Sequence, residues 1–292
     1  MTDLTLTYAA LLKQASGQLA DASVPDPETD ARFLLFHFFE MDLTDYLLKR
    51  DQSVLTDGDK EQEKKLACFR QAVDRRCQRV PLQHILGKAW FYGYLFEVSP
   101  DVLIPRPETE ILVRKVQEEV GSQPCRILDL CTGSGCIAVT LKKEAPQIRC
   151  MASDISQKAL DLARKNAAAQ GVQVDFVRSD LFDAFDRNER FDLIVSNPPY
   201  IATEEMSFLQ PEVRIYDPVL ALDGGRDGLD FYRRICREGY RFLNENGALF
   251  MEMGAAQGSG IRRILDDAGF CDVQILRDLS GKDRVIGGYR RN

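Results

Sequence analysis

The stretch RILDLCTGSGCIA, residues 126–138, decides the fold. Five residues of strand character lead into a Gly-x-Gly-x-x-Ala turn, after which a helical pattern begins. Gly133 and Gly135 let the backbone turn tightly and approach a ligand without a Cβ in the way. Taken alone, a plain strand-to-helix turn explains the pattern equally well, but it also predicts a cofactor loop at residues 131–135.

Strand-like and helix-like segments alternate after this stretch. The strand candidates are residues 126–130, 148–154, 174–180, 191–197, 247–253, 273–278 and 283–289. Strands that alternate with helices predict an α/β domain with a parallel sheet covered on both faces. Residues 1–85 instead carry helical patterns, such as Leu4–Leu19 and Asp59–Arg79, and WFYGYLFEV (90–98) predicts a hairpin. We therefore expect a helical domain at 1–85, a hairpin linker at 86–100 and a catalytic domain at 101–292.

Composition limits the possible functions. The 292 residues include 45% hydrophobic and 28% charged side chains, as in ordinary globular proteins. The net charge of −7 has the wrong sign for a protein that binds mainly through nucleic-acid phosphates. One locally basic helix, 64–79, is either a solvated face or a docking patch for an acidic or nucleic-acid-containing partner. No apolar run is long enough for a membrane span and no secretory signal is evident, so we expect a cytoplasmic protein.

The spacing of the cysteines and the positions of the two histidines argue against metal and imidazole chemistry. None of the eight cysteines forms a C-x-x-C pair, so neither structural zinc nor a disulfide framework is expected. Both histidines, His37 and His84, lie in the first 90 residues. Chemistry in the remaining 200 or so residues must therefore proceed without a histidine base.

Ligands of open α/β sheets bind outside the carboxyl ends of the strands. The second strand ends at Asp154, which is either a ribose ligand or the N-cap of the next helix. The third ends in Ser179-Asp180-Leu181-Phe182, which offers an acceptor for an amino group and apolar surface for a ring, although Asp180 is equally well explained as a loop acid. The fourth ends in Asn197-Pro198-Pro199-Tyr200. Its prolines remove two N–H donors, so rigid acceptors beside an aromatic wall suit a substrate NH₂ group.

In this order and spacing, DLCTGSG, Asp154, SDLF and NPPY resemble the class I S-adenosylmethionine-dependent methyltransferases. PLQHILGKAWFYG (81–93), LIPRPETE (103–110), IVSNPPYI (194–201) and GGRDGL (224–229) narrow the resemblance to the bacterial release factor glutamine methyltransferases. That family methylates the glutamine side-chain amide in the Gly-Gly-Gln motif of class 1 peptide release factors, which supports translation termination. The resemblance implies a Rossmann-like, seven-stranded, mostly parallel sheet.

The resemblance also implies site residues. The implied cofactor contacts, for S-adenosyl-L-methionine and its product S-adenosyl-L-homocysteine, are Cys131, Thr132, Gly133, Ser134, Gly135, Asp154, Asp180, Leu181 and Asn197. The implied substrate contacts are Asn197, Pro198, Pro199 and Tyr200, of which Asn197, Pro198 and Tyr200 are also assigned to catalysis, with no metal. Arg106 and Glu108 are expected near the pocket without an assigned role. Cys131 stands where the family usually has glycine, and we expect a negative φ there.

The implied reaction is direct transfer of the sulfonium methyl to the amide nitrogen, with no early general base. The main alternative is an adenine-N6 methyltransferase, whose amino group also suits NPPY. Base flipping needs a basic channel, yet residues 91–292 carry 26 basic and 31 acidic side chains. A nicotinamide dehydrogenase has no use for NPPY, and an inactive cofactor sensor has no use for an intact substrate loop. We therefore expect a protein substrate and no nucleic-acid substrate.

Overall fold

The computed structural model describes residues 6–56 and 58–291. Two compact units divide them: the first contains the described residues up to Gly87 together with Pro211–Tyr216, and the second contains Lys88–Gln210 and the chain from Asp217 onward. Leu4, at the start of the first expected helix, lies outside the described residues. No helix in the part of the chain that the structure describes is both long and apolar enough to cross a membrane.

Helices and strands follow the alternation of the sequence. The helices are α1 (Tyr8–Asp21), α2 (Pro27–Phe39), α3 (Leu43–Lys49), α4 (Lys60–Cys77), α5 (Leu82–Leu86), α6 (Glu110–Val120), α7 (Cys136–Glu144), α8 (Gln157–Gln170), α9 (Pro211–Tyr216), α10 (Asp230–Phe242) and α11 (Gly258–Asp267). The strands are β1 (Lys88–Phe91), β2 (Tyr94–Glu97), β3 (Arg126–Leu130), β4 (Arg149–Asp154), β5 (Asp175–Arg178), β6 (Phe191–Ser196), β7 (Leu243–Glu252), β8 (Cys271–Arg277) and β9 (Asp283–Tyr289). Short 3-10 turns cover Pro107–Thr109, Thr203–Phe208 and Val219–Ala221.

The first unit is a helical bundle that also holds α9. Its core is apolar, and Leu19, Leu34 and Leu35 are fully buried in it. The carboxylate of Glu212, on α9, accepts hydrogen bonds from Arg76 (3.0 Å) and Arg79 (2.6 Å). Part of the basic helix is therefore neither a solvated face nor a free patch, because Arg76 is buried against carboxylates of its own unit.

The second unit contains the hairpin β1-β2 and a seven-stranded sheet of order β5-β4-β3-β6-β7-β9-β8. Strands β3 to β7 run parallel, and β9 runs antiparallel to β7 and β8. This arrangement confirms the expected seven-stranded, mostly parallel sheet. Because β3 has β4 on one side and β6 on the other, the strand order reverses at β3, and a crevice opens at the carboxyl ends of these strands.

Both faces of the sheet are covered, which explains the apolar runs in the strand sequences. Ile127, Val195 and Phe250 belong to one hydrophobic cluster. Leu128 and Ile194, one residue away in β3 and β6, belong to the other. This alternation is the two-residue period of a strand, with each face buried under helices.

Candidate active site

A cavity of about 360 Å³ lies at the carboxyl ends of β3, β4, β5 and β6, and all of its wall residues belong to the second unit. The wall residues include Ile104, Arg106, Thr109, Cys131, Thr132, Gly133, Ser134, Asp154, Ser179, Asp180, Leu181, Asn197, Pro199, Phe231 and Arg234. Its volume is within the usual range for small-molecule sites. Of the expected site residues, Gly135, Pro198 and Tyr200 are not part of the wall.

The loop after β3 forms the floor of the cavity. Thr132 N–H donates to the Ser153 carbonyl on β4 (3.0 Å), and Gly133 N–H donates to Asp154 Oδ2 (2.9 Å). Gly135 begins α7 with φ 80°, and a Cβ at this position would come within 2.9 Å of the Ala163 Cβ. The two glycines therefore serve different purposes: Gly133 turns the chain at the cavity, and Gly135 lets α7 approach α8.

The expectation of a negative φ at Cys131 is wrong, since its φ is 59°. The chain leaves β3 at Leu130 and must turn at once for Thr132 to bond to the neighbouring strand, and a left-handed residue makes that turn. Burial raises the pKa of the Cys131 thiol far above its usual value, so the thiol stays protonated and acts as a small apolar group.

Asp154 lines the cavity and does not act as the N-cap of α8. Its Oδ1 accepts from Ser156 N–H (2.9 Å) and its Oδ2 from Gly133 N–H. The N-cap of α8 is Ser156, whose hydroxyl accepts from Ala159 N–H. Burial raises the pKa of Asp154, and the carboxylate keeps lone pairs beyond the two that these amides use.

The loop after β5 contributes one polar and one apolar side chain. Asp180 pairs with Arg234 (2.9 Å), which leaves further acceptor capacity at the cavity. Leu181 lines the wall. Phe182 does not, because it stacks on Phe242 in the core with ring centroids 4.8 Å apart. The apolar surface offered to a ring is therefore that of Leu181.

The NPPY segment follows β6 and presents unused acceptors. Asn197 Nδ2 donates to Thr109 Oγ1 (3.3 Å). Neither Asn197 Oδ1 nor the Pro198 carbonyl accepts a hydrogen bond from any residue that the structure describes. Tyr200 is half-buried, and burial raises the pKa of its hydroxyl so far that it stays protonated.

The GGRDGL segment (224–229) packs closely against the backbone of NPPY (197–200). Gly228 has φ 72°, and a Cβ there would lie 2.4 Å from the Tyr200 carbonyl oxygen. Gln257 Nε2 donates to that same carbonyl (2.8 Å) and to the Gly228 carbonyl (3.2 Å). The backbone of Tyr200 is therefore held closely by a loop on which a larger side chain would collide.

Two buried residues next to Asn197 were missed from the sequence. Thr109 Oγ1 donates to Glu252 Oε2 (2.5 Å), and Tyr200 hydroxyl donates to Glu252 Oε1 (3.4 Å). Burial raises the pKa of Glu252 to about 7. The available signal was the strand sequence ALFMEM, in which one acid ends an apolar run at the same sheet edge as Asn197.

The LIPRPETE stretch also places Arg106 at the wall, where it bonds to Asp217 Oδ2 (2.9 Å). Burial, opposed by Arg106, raises the pKa of Asp217 to about 6. Glu108 does not line the cavity, although its charge acts on Glu252. No cluster of three or more potential metal ligands occurs within residues 6–56 and 58–291.

The strand order, the glycine loop at the switch point and the unused acceptors of NPPY together define a class I methyltransferase. Residues 10–87 match the PrmC N-terminal domain, and residues 107–212 match the Methyltransferase small domain. Two solved structures share the fold: a methyltransferase from Pyrococcus furiosus (TM-score 0.54, 17% identity, 69% of this chain and 91% of that one) and the Thermus thermophilus 16S rRNA N2 G1207 methyltransferase (TM-score 0.52, 20% identity, 70% and 50%).

Full-length relatives narrow the class to a family. The release factor glutamine methyltransferase of Geobacter sulfurreducens is 39% identical over 282 residues, covering 97% of this chain and 96% of its own. That of Cereibacter sphaeroides is 42% identical over 280 residues, covering 95% and 96%. The chain belongs to the release factor glutamine methyltransferase family, whose members use S-adenosylmethionine. The expected family and enzyme class are thereby confirmed.

Proposed function

We propose that this enzyme methylates the side-chain amide of the glutamine in the Gly-Gly-Gln motif of class 1 peptide release factors. The observation that carries the proposal is the pair of unused acceptors, Asn197 Oδ1 and the Pro198 carbonyl, on adjacent residues at the end of β6. A primary amide has two N–H donors, and these two acceptors match them. Because peptide release takes place on cytoplasmic ribosomes, the proposal carries the expectation of a cytoplasmic enzyme.

The cavity residues fit S-adenosylmethionine, which supplies an electrophilic methyl group when bound. In this proposal the backbone of residues 131–135 holds the methionine part, Asp154 the ribose, and Asp180 with Leu181 the adenine. Asp154 and Asp180, which are polar, and Leu181, which is apolar, all line the cavity, in keeping with a nucleoside that has a polar sugar and a flat ring.

Asn197 and Pro198 orient the nucleophile in this scheme. An amide nitrogen attacks poorly because its lone pair is delocalised, so it must leave conjugation as it attacks. Acceptors that are fixed beforehand on its two hydrogens favour this change. Tyr200, held by Gln257 and protonated, is assigned to pack beside the amide. The N-methylated amide cation that forms is a very strong acid, so its proton passes to water without a histidine.

Transfer of radiolabelled methyl groups tests the proposal. Label is expected in a class 1 release factor and not in the same factor whose Gly-Gly-Gln glutamine is replaced by alanine. Incorporation into DNA or RNA instead of the factor would establish the adenine-N6 alternative.

Asn197→Ala tests the amide grip. We expect turnover to fall about 10²-fold or more, because removal of one preorganised contact to the reacting group costs this much. Asn188→Ala, which truncates an exposed asparagine of the same unit, is the control. Near wild-type turnover of Asn197→Ala, with cofactor binding intact, contradicts the assigned role.

A further inference from the structure

A buried chain of hydrogen bonds ends on the Asn197 amide. Asn197 Nδ2 donates to Thr109 Oγ1 (3.3 Å), Thr109 Oγ1 donates to Glu252 Oε2 (2.5 Å), and Tyr200 hydroxyl donates to Glu252 Oε1 (3.4 Å). Thr109 and Glu252 are each only 2% exposed. The chain of bonds therefore starts at the cavity wall, which Asn197 and Thr109 line, and ends at Glu252, which does not line it.

The sheet register brings these residues together. Ser196 of β6 pairs with Met251 of β7, so the next residues lie side by side: Asn197 directly after β6, and Glu252 as the last residue of β7. Thr109 ends the 3-10 turn that leads into α6, and α6 packs on β6 and β7. The threonine hydroxyl thus lies between an amide and a carboxyl group.

The number of hydrogens available in this chain of hydrogen bonds fixes the orientation of the Asn197 side-chain amide. A hydroxyl group has a single hydrogen, and Thr109 gives it to the Glu252 carboxylate. Its oxygen then only accepts, so the group of Asn197 that faces it must be the NH₂. The Asn197 oxygen is left for the substrate. If Glu252 carries a proton, it can donate to Thr109, whose own hydrogen then favours the reversed amide.

We propose that Thr109 and ionised Glu252 are positioning residues that hold the Asn197 oxygen toward the substrate amide. The inference rests on the proposed function, because it explains how one of the two acceptors is oriented before the substrate arrives. Thr109 and Glu252 act through Asn197 and are not assigned contact with the reacting atoms.

The surroundings of Glu252 set the pH at which the orientation changes. Burial raises its pKa to about 7, and the charge of Glu108 on the turn before α6 adds to the rise. Hydrogen bonds from Thr109 and Tyr200 and the charge of Arg284 on β9 oppose it. The Tyr232 hydroxyl of α10 donates to the Glu252 carbonyl, and the Cys136 thiol of α7 lies within electrostatic range. Because the ionised form orients Asn197, turnover is expected to rise with pH through about 7.

Kinetics of three variants test the proposal. Thr109→Val, which keeps the shape and removes the hydroxyl, is expected to lower kcat about 10-fold or more, and Thr109→Ser is expected to restore most of the loss. Glu252→Gln is expected to lower kcat and to abolish the pH-dependent rise near 7. Binding of S-adenosylmethionine, measured by calorimetry, is expected to change less than about 3-fold. Thr140→Val is the matched control, because Thr140 is fully buried with no partner for its hydroxyl among the described residues.

A second readout does not depend on turnover. In ¹⁵N-asparagine-labelled protein, the side-chain NH₂ signals of Asn197, assigned through Asn197→Ala, are expected to titrate near pH 7 and to stop doing so in Glu252→Gln. Folded Thr109→Val with wild-type kcat and pH profile, or an Asn197 signal that does not titrate, overturns the inference. A wild-type enzyme that leaves release factors unlabelled refutes the proposed function instead, and the titration still decides the orientation.

Discussion

Cys131 carries a left-handed backbone at the start of the loop after β3, with φ 59°. A side chain with a Cβ adopts this conformation at a cost on the order of 1 kcal/mol. The turn is imposed by the bond from Thr132 N–H to β4, so the cost is offset by contacts elsewhere in the loop.

We expect Cys131→Val to destabilise the protein by more than 1 kcal/mol or so, because a β-branched side chain is poorly tolerated at positive φ. Cys150→Val is the control, since Cys150 is buried within β4, where a β-branched residue is favoured. Urea unfolding of both variants gives the comparison. Equal losses of stability at the two positions would show that the size of the valine side chain, and not the backbone conformation, sets the cost at Cys131.

The loop 224–229 packs against the backbone of NPPY and holds it in place. Gly224 and Gly228 approach the chain of Pro199 and Tyr200 so closely that a Cβ would overlap backbone atoms. The segment therefore constrains the backbone of Pro199 and Tyr200, although none of its residues lines the cavity.

Gly228→Ala is expected to reduce methyl transfer at least 10-fold or so, because the new Cβ must displace the Tyr200 carbonyl. Gly171→Ala isolates the backbone effect: Gly171 has φ 67° at the end of α8 with open space around it. There we expect a stability loss of about 1 kcal/mol and unchanged turnover. Similar activities for the two variants would refute the assigned role of this loop.

Helix α9 is attached to the bundle of the first unit by charge. Arg76 and Arg79 both bond to Glu212, and Arg76 also bonds to Asp30 (2.7 Å). Although burial alone would raise it, the pKa of Glu212 is lowered because both arginines bond to the carboxylate. The stabilisation is therefore complete above the ordinary pKa of a glutamate and is lost as the pH falls through the lowered value.

Glu212→Gln is expected to destabilise the first unit by about 1.5–3 kcal/mol, the usual worth of a hydrogen bond to a charged group. Glu40→Gln is the matched control, because Glu40 pairs with Lys65 (2.7 Å) on the surface of the same bundle, where such a pair contributes little. Thermal unfolding at neutral pH measures both. A larger loss for Glu40→Gln would contradict this assignment.

Two buried carboxyl groups make the whole molecule sensitive to pH. Burial raises the pKa of Asp129 and of Glu252 to about 7. A carboxyl group whose pKa is raised by folding stabilises the protein below its ordinary pKa, and this contribution is lost as the pH rises through the raised value. We therefore expect these two groups to lower the free energy of unfolding between about pH 4.5 and 7.

In Glu252→Gln, the free energy of unfolding is expected to decline less steeply with pH, by up to about 1.4 kcal/mol per pH unit. Denaturant unfolding at a series of pH values checks it, with Glu245→Gln, at an exposed position of β7, as the control that keeps the wild-type slope. A Glu252→Gln curve parallel to wild type would mean that Glu252 ionises in the folded protein as it does in the unfolded chain.

The sequence alone predicted the α/β alternation, the sheet class, the family and the residues at four strand ends. These features are local: a two-residue or helical period, a glycine turn, and an Asn-Pro-Pro-Tyr run are each written within a few positions. Asn197 was identified in this way, because a residue that follows a parallel strand lies at the carboxyl edge of the sheet, where ligands of such sheets bind, whichever residues surround it.

Only the tertiary structure decided which distant groups act on those residues. Thr109 meets Asn197 across 88 positions and Glu252 across 143, and α9 belongs with helices of the first unit more than 130 positions earlier. The left-handed Cys131 likewise follows from its bond to the next strand and not from its own preference. Such contacts depend on sheet register and on closure of long loops, and no pattern within a short window encodes them.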